Sequence, residues 1–540
     1  MFNLAAIHEA IAARVPEREC LVFRDRRLSW NDVTDRSRRL GAYLRSRLGS
    51  PSAERAQLEN WESGQPHVAL YLYNGNEYLE SMLGAYKARA VPINVNYRYV
   101  EEELLYLFEN SRARGVIYHA CFAPVLARIR SRLPGLLLWI QVADESNEPL
   151  LPGAVEYEAA LAAAVPEPPR DLSPDDLYVL YTGGTTGMPK GVMWRQEDIF
   201  RAAIYARPVG SLEAIVSRAE RGRHRALPAP PFMHGAAHWA AFTMWALGGT
   251  VVVQSKPRQL DPHDIWQTVV RERITTLTLV GDAFARPLLD ALRERDYDLS
   301  SLEVIGSGGA ILTAALKQEL LERLPRVRIT DNLGSSESGS QAIQVTQRGA
   351  RATTGDFEMA QDNLVLREDL SGPVVAGSGE QGWLARRGRV PLGYYRDREK
   401  TQRTFPVIDG VRYAVPGDRA LLEADGTLRL LGRDSVTINT GGEKVFAEEV
   451  EHALKHHPGV LDAVVVGTPH ERFGQQVTAL VVLRPGEARS AESLLAVARA
   501  HVAPYKLPRR FVFLDQIVRA PSGKADYRWA RAAALEPSGS

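Results

Sequence analysis

The stretch Tyr181-Thr182-Gly183-Gly184-Thr185-Thr186-Gly187-Met188-Pro189-Lys190-Gly191 gathers threonine hydroxyls, glycines and one lysine between two apolar runs. Residues of these types suit the gripping of phosphate oxygens. Glycines let backbone N–H groups close on an anion with no Cβ in the way. The hydroxyls of Thr182, Thr185 and Thr186 donate, and Lys190 adds a point charge. Leu177-Tyr178-Val179-Leu180-Tyr181 reads as a buried strand and Gly191-Val192-Met193-Trp194 as a second, which puts the loop at the tip of a hairpin. The P-loop of nucleoside triphosphatases is a different arrangement. It needs Gly directly before Lys and a helix directly after, whereas Met188-Pro189 part Gly187 from Lys190 here and Gly191 follows. Taken alone, the loop is equally an ordinary glycine-rich surface turn.

Tyr181 to Lys190 resembles the signature loop of the adenylate-forming superfamily, which includes acyl-CoA synthetases, peptide-synthetase adenylation domains and luciferases. The resemblance runs over nearly the whole chain, as far as Lys524. The string from Gly191 to Phe200 is also similar to actinobacterial acyl-CoA synthetases acting on steroid side chains.

The resemblance implies a site for joining a carboxylate to AMP and then to a thiol, with ATP, Mg²⁺ and CoA as the small molecules used. Thr182, Gly183, Gly184, Thr185, Thr186 and Lys190 would hold the phosphates. Glu337 closes Leu333-Gly334-Ser335-Ser336-Glu337, where the family has Tyr for Leu333 and Thr for Ser336. It would bind Mg²⁺, with Ser336 donating to the α-phosphate. Asp331 and Asn332 open the same motif and join the nucleotide set. Gly308-Gly309-Ala310 would lie against adenine, Asp418 would accept the ribose hydroxyls, and Arg433 would reach the ribose–phosphate side. His234 matches a gate between acyl pocket and phosphates, and Lys524 the lysine that bridges carboxylate and nucleotide. Gly441, Gly442 and Lys444 match a loop lining a tunnel for the pantetheine arm. Lys524, Thr186, Glu337 and His234 are the implied catalytic set.

Each of these residues also has a plain reading. Glu337 alone is an acid near a turn, Asp418 the cap of a Pro-Gly turn, His234 a core histidine and Lys524 a solvated charge. The roles gain weight because six motifs occur in the family's order. One departure stands out: the family's hinge carries Asp or Lys two positions after the motif arginine, and here that position is Ser435.

The elements needed to position these residues are legible as alternation. Residues 67–72, 91–95 and 115–118 read as strands, with helices over 77–88, 100–110 and 122–133. The grammar returns with strands at 250–253, 276–280, 302–305 and 327–329, and helices over 264–273, 283–293 and 314–324. Strand–helix–strand repetition means βαβ units and parallel sheets, whose ligands lie at strand carboxyl ends. The segments 306–310 and 331–337 fall at such ends. From about Arg351 helices thin out, and after Arg433 a helix at 447–456, strands at 464–467, 477–482 and 511–514, and a helix at 491–500 follow. The fold class expected is α/β: a large N-terminal domain of two doubly wound βαβ blocks plus a β-rich subdomain, over 1–433, and a small mobile α+β domain over 434–540, hinged near Ser435.

Composition narrows the partners. Among 540 residues, Lys+Arg number 66 against Asp+Glu 65, a net charge of +1 that offers nothing to nucleic acid. The cysteines Cys20 and Cys121 make no disulfide framework and fit a reducing cytoplasm. No window approaches the roughly 20 apolar residues of a membrane helix. The expected activity is that of an acyl-CoA synthetase, AMP-forming, acting on a hydrophobic acid; homodimerisation stays open. Because the chain ends soon after Lys524, free CoA is expected as acceptor over a carrier-protein arm. An acyl-AMP ligase serving a separate carrier protein and a catalytically inactive nucleotide-binding homologue remain alternatives. Small residues Ala236, Ala237, Ala240 and Ala241 beside Phe232, Trp239, Phe242 and Trp245 read either as a roomy apolar acyl pocket or as a packed helix core.

Overall fold

The computed structural model describes residues 2–182, 188–440, 443–470, 473–520 and 523–536, with the side chains of Ser435, Asn439, Glu443 and Lys444 set aside. Within them the strands form four sheets, of fifteen, five, five and three strands. Both expected parallel blocks are present. In one, His67–Tyr71 lies between Val91–Asn94 and Ala113–His119, with Leu138–Val142 and Val155–Glu156 beyond. His67–Tyr71 is buried along its whole length, which is why it reads as a continuous run rather than an alternation.

The second block runs Glu19–Phe23, Thr250–Val253, Arg225–Pro228, Thr276–Leu279, Val304–Gly308 and Arg328–Ser335, parallel throughout. This sheet then continues antiparallel through Gly339–Thr346, Asp356–Met359, Thr427–Arg433, Asp418–Leu422 and Gly382–Arg387. The β-rich region is therefore an extension of the second block rather than a sheet of its own. Sequence reading missed Arg225–Pro228, although it is central. Four residues ending in proline offer too little periodicity, and the proline is tolerated because it closes the strand.

The phosphate-loop hairpin forms as expected. Leu177–Thr182 and Lys190–Arg195 pair antiparallel, Thr182 opposite Lys190, and Gly393–Tyr394 adds a third strand on Met193 and Val192. Gly191 is required there: a Cβ would come within 2.7 Å of the Tyr181 ring. Asn94, at the end of a first-block strand, clamps the hairpin. Its Nδ2 donates to the carbonyls of Tyr181 and Met233, both at 2.8 Å, and its Oδ1 accepts Tyr181 N–H at 2.7 Å. One amide thus ties a parallel sheet, the hairpin and the loop bearing His234.

Beyond Arg433, Thr437–Thr440, Glu443–Phe446, Gly474–Leu483 and Val460–His470 form an antiparallel sheet, with Arg510–Phe513 parallel to Gly474–Leu483. Helices Ala447–Lys455, Ala491–Ala498 and Tyr527–Leu535 cover it. Val450, Leu454, Val465 and Ala479 belong to a core confined to this part of the chain.

Strand Arg328–Ser335 rests on one buried charge pair. Lys317, fully buried in helix Ala314–Arg323, sits 2.7 Å from Asp331 Oδ2 and donates to Thr353 O at 3.1 Å. Removing one partner strands the other charge without water, at a cost of roughly 3–5 kcal/mol. Asp331→Leu is therefore expected to lower the melting temperature by several degrees; a melt that overlays the wild type would show that Lys317 finds other compensation.

Candidate active site

The three-stranded sheet holds two charged groups of opposite sign. Lys190 forms an ion pair with Asp397, whose Oδ1 also caps helix Arg398–Thr404 by accepting Lys400 N–H at 3.0 Å. Trp194, buried in the same hairpin, donates its indole N–H to Ser336 O at 2.8 Å. Tyr394 donates its hydroxyl to Glu337 Oε1 at 3.0 Å. Burial, then the Glu337 charge, push the Tyr394 phenol above its ordinary range, so it stays a donor. Glu337 keeps its other oxygen free of this bond, and Thr182 ends its strand half-buried. Gly183, Gly184, Thr185 and Thr186 lie outside the described residues.

Across the cleft, strands Val304–Gly308 and Arg328–Ser335 run side by side, Gly308 opposite Asn332. A Cβ on Gly308 would approach Asn332 O to 3.1 Å, and Gly309 turns at φ +85°, so the chain is flat and bare here for a physical reason. Ala310 packs against the second block's core. Asn332 is exposed, its amide donating to Ser307 O at 3.2 Å. Asp331 departs from the expectation. Alternation along the strand turns its side chain to the other face, where Lys317 engages it, so its carboxylate is not available to a nucleotide.

Asp418 and Arg433 pair in register on adjacent strands, and Arg433 Nε donates to Asp418 Oδ1 at 3.0 Å. The nearby Asp418 charge raises the Arg433 pKa further. Lys524 reaches this group from the far end of the chain: a Cβ on Gly309 would lie 3.8 Å from its Cε. Solvent still reaches the Lys524 side chain, yet crowding by protein atoms lowers its pKa and Arg433 adds to the effect. Glu337, Asp418 and Glu448 oppose it. His234 is held neutral, its pKa near 3, first by burial and then by Lys524 and Arg98. Its Nε2 is buried with no hydrogen-bond partner among the described residues. Lys524, His234, Glu337, Asp418 and Arg433 thus share one electrostatic neighbourhood although the sequence spreads them over most of the chain.

Gly441 and Gly442 lie outside the described residues. Lys444 lies in strand Glu443–Phe446 opposite Asn439. Helix Gly235–Ala246 divides the four alanines. Ala237 and Ala241 are fully buried in the core with Phe242 and Trp245, while Ala236, Ala240 and Trp239 are half-buried. The packed-core reading holds for one face of this helix and the pocket reading is left to the other.

Residues 8–395 match the family described as AMP-binding enzyme, and residues 449–524 the AMP-binding enzyme C-terminal domain. The chain belongs to the AMP-binding enzymes, the adenylate-forming superfamily whose motifs it resembles. A medium-chain acyl-CoA ligase of Mycobacterium avium is 51% identical over 99% of this chain and 98% of its own length. A 3-oxocholest-4-en-26-oate–CoA ligase of Rhodococcus rhodochrous is 40% identical, covering 98% of this chain and 95% of its own. The crystal structure of an anthranilate CoA ligase bound to anthranoyl-AMP matches with a TM-score of 0.80, at 23% identity, over 99% of this chain and 97% of that one. That last likeness is one of fold.

Sequence reasoning missed Trp194, Tyr394 and Asp397 as supports. Their signal is three-dimensional: nothing in spacing says that Tyr394 meets Glu337. Two histidines give a direct check. His234 and His238 are each lowered to about 3, with burial the leading cause, so in ¹⁵N-histidine spectra their resonances should not titrate between pH 5 and 8. A midpoint near 6.5 for either would mean that water enters the site.

Proposed function

We propose that this chain is an ATP-dependent, AMP-forming acyl-CoA ligase for a hydrophobic carboxylic acid, a medium- or long-chain fatty acid or a steroid side-chain acid. The observation that carries the reading is the approach of Lys524 to Gly309, within electrostatic reach of His234, Glu337, Asp418 and Arg433. The names of the relatives at 51% and 40% identity support the substrate class.

In the first half-reaction a carboxylate oxygen of the acid attacks the α-phosphorus of ATP. The bond to the bridging oxygen breaks, and pyrophosphate leaves with the electron pair. Two anions must approach, so cations have to stand between them. We assign that task to Lys524, with Lys190 and the hydroxyls of Thr182, Thr185 and Thr186 on the leaving phosphates, and Ser336 on the α-phosphate. Asp418, an acceptor-only carboxylate, suits the ribose diol, and Arg433 holds it there. Gly308, Gly309 and Ala310 form a flat wall for adenine. His234, neutral and with a free ring nitrogen, borders the incoming acid without adding charge.

Mg²⁺ fits at Glu337. A carboxylate with one oxygen fixed by Tyr394, and no hydrogen bond to the other among the described residues, is the sparse protein contribution this ion uses beside a polyphosphate. When bound it would neutralise charge on the leaving pyrophosphate. In the second half-reaction the thiol sulfur of CoA attacks the acyl carbon, AMP departs and the thiol proton passes to solvent. Gly441, Gly442 and Lys444 are assigned to the thiol's approach. We divide the chain into an N-terminal domain over 1–433 and a mobile domain over 434–540 hinged near Ser435. Among the described residues no helix is long and apolar enough to cross a membrane, and the free thiols of Cys20 and Cys121 support a reducing, cytoplasmic setting.

Lys524→Ala should abolish adenylate formation, read by pyrophosphate exchange, while largely sparing single-turnover thiolysis of supplied acyl-AMP. Equal losses in the two assays would overturn the division of labour. Ala240→Trp tests the acyl pocket, because Ala240 is half-buried where Ala237 is sealed in the core. It should cut kcat/KM for a ring-bearing or long-chain acid by more than about a hundredfold and spare propanoate. Uniform loss across acids of increasing bulk would place the pocket elsewhere.

A further inference from the structure

Helix Ala447–Lys455 turns one face to strand Thr427–Arg433 and helix Gly281–Glu294. Glu448, His452 and Lys455 recur along it at helical spacing. Lys455 Nζ lies 3.6 Å from Asp282, in the first turn of helix Gly281–Glu294, and 3.2 Å from Asp462 on its own side. His452 lies within electrostatic reach of Lys317. Glu448 makes the most specific contact: its Oε2 accepts the backbone N–H of Arg433 at 3.1 Å. Gly432 makes room for it. The strand turns there at φ +132°, and a Cβ would stand 2.5 Å from Glu448 Oε2, so a side chain would push the carboxylate off. The turn bearing Lys524 packs on the same helix start as Lys455, since a Cβ on Gly523 would lie 3.2 Å from Ala283 Cβ and 3.3 Å from Val280.

We propose that Glu448 is a positioning residue for adenylation: its carboxyl oxygen clips the backbone of Arg433, fixing that side chain on Asp418 and seating the helix that brings Lys524 to the nucleotide. This rests on the ligase reading above. Glu448 touches neither substrate nor reacting atom; it acts through Arg433 and through the docking of its helix.

The groups facing Glu448 are Arg433 and Asp418 on the two strands, Glu451 on its own helix, and Lys524 and Tyr527 on the C-terminal segment. Burial, then Glu451, push its carboxyl up to about 7, with Arg433 opposing. The docked arrangement therefore favours the protonated acid. Docking is tightest below the ordinary carboxylate range, weakens as pH rises through about 7 and is level above. Glutamine keeps an acceptor for the Arg433 N–H and carries no charge, so it should hold the clip without that dependence.

The experiment compares wild type, Glu448→Ala and Glu448→Gln in two assays from pH 5.5 to 8.5: pyrophosphate exchange with octanoate, and amide hydrogen exchange of the segment spanning Arg433. In the alanine variant, adenylation kcat should fall roughly tenfold or more with KM for the acid little changed, and the Arg433 amide should exchange at least about tenfold faster. Glutamine should restore both and flatten the pH dependence of amide protection, the exchange rate taken relative to that of an unfolded amide at the same pH, below pH 7. The proposal is overturned if alanine leaves Arg433 exchange at the wild-type rate, or if glutamine does no better than alanine. Should alanine fail to fold, the glutamine pH profile decides, an unaltered profile counting against the clip. A wild type that forms no adenylate with any acid sinks the ligase reading, and the amide-exchange arm still judges the clip.

Discussion

An acid anion has to reach a polyphosphate, and everything in the cleft answers to that repulsion. Cations are needed, but cations left alone in a cleft drift or draw in the protein's own carboxylates out of place. The structure holds two of them on fixed partners: Lys190 on Asp397, which is itself pinned as a helix cap, and Arg433 on Asp418 across neighbouring strands. Such pairs fix geometry more than they add stability at partly exposed positions. Lys524 is set apart, because it comes from a different part of the fold and stands among Glu337, Asp418 and Glu448 without a close ion pair of its own among the described contacts. A lysine so placed suits the role proposed for it, shared with an incoming carboxylate.

Positioning is done by a few polar atoms at the borders of sheets. Asn94 saturates its amide on the hairpin and on the loop before His234. Trp194 and Tyr394 reach from the three-stranded sheet to Ser336 and Glu337. All of these are buried or half-buried bonds in which a lost partner is expensive, so the loops they hold cannot slide without breaking them. Loops carrying the chemistry are thereby set by the rigid parts beneath.

Much of this fold is legible in the sequence. The parallel blocks showed because parallel strands are buried on both faces and their helices amphipathic, so period and length both carry signal; the hairpin at Leu177–Thr182 and Lys190–Arg195 did so because two apolar runs flank a glycine-rich turn. Short strands with mixed polarity did not. Arg225–Pro228 is central, yet its neighbours supply the burial that its own sequence does not announce. The residues proposed for the site were named from their motifs and order. Their supports were not, since Tyr394, Asp397 and Glu448 act through contacts between segments distant in sequence.

Asp331 shows where motif reading needs the pleat. It stands beside Asn332 and at the head of the stretch that ends in Glu337, and as a sequence neighbour it looks equally suited to a nucleotide. Side chains on a strand alternate, however, so two adjacent residues cannot both face the cleft. Asn332 is exposed and Asp331 is turned to a fully buried lysine. The same period of two that hides Asp331 gives it a different task. By neutralising Lys317 beneath the sheet, it holds helix Ala314–Arg323 to the strand, and the wall proposed for the nucleotide is only as fixed as that buried pair.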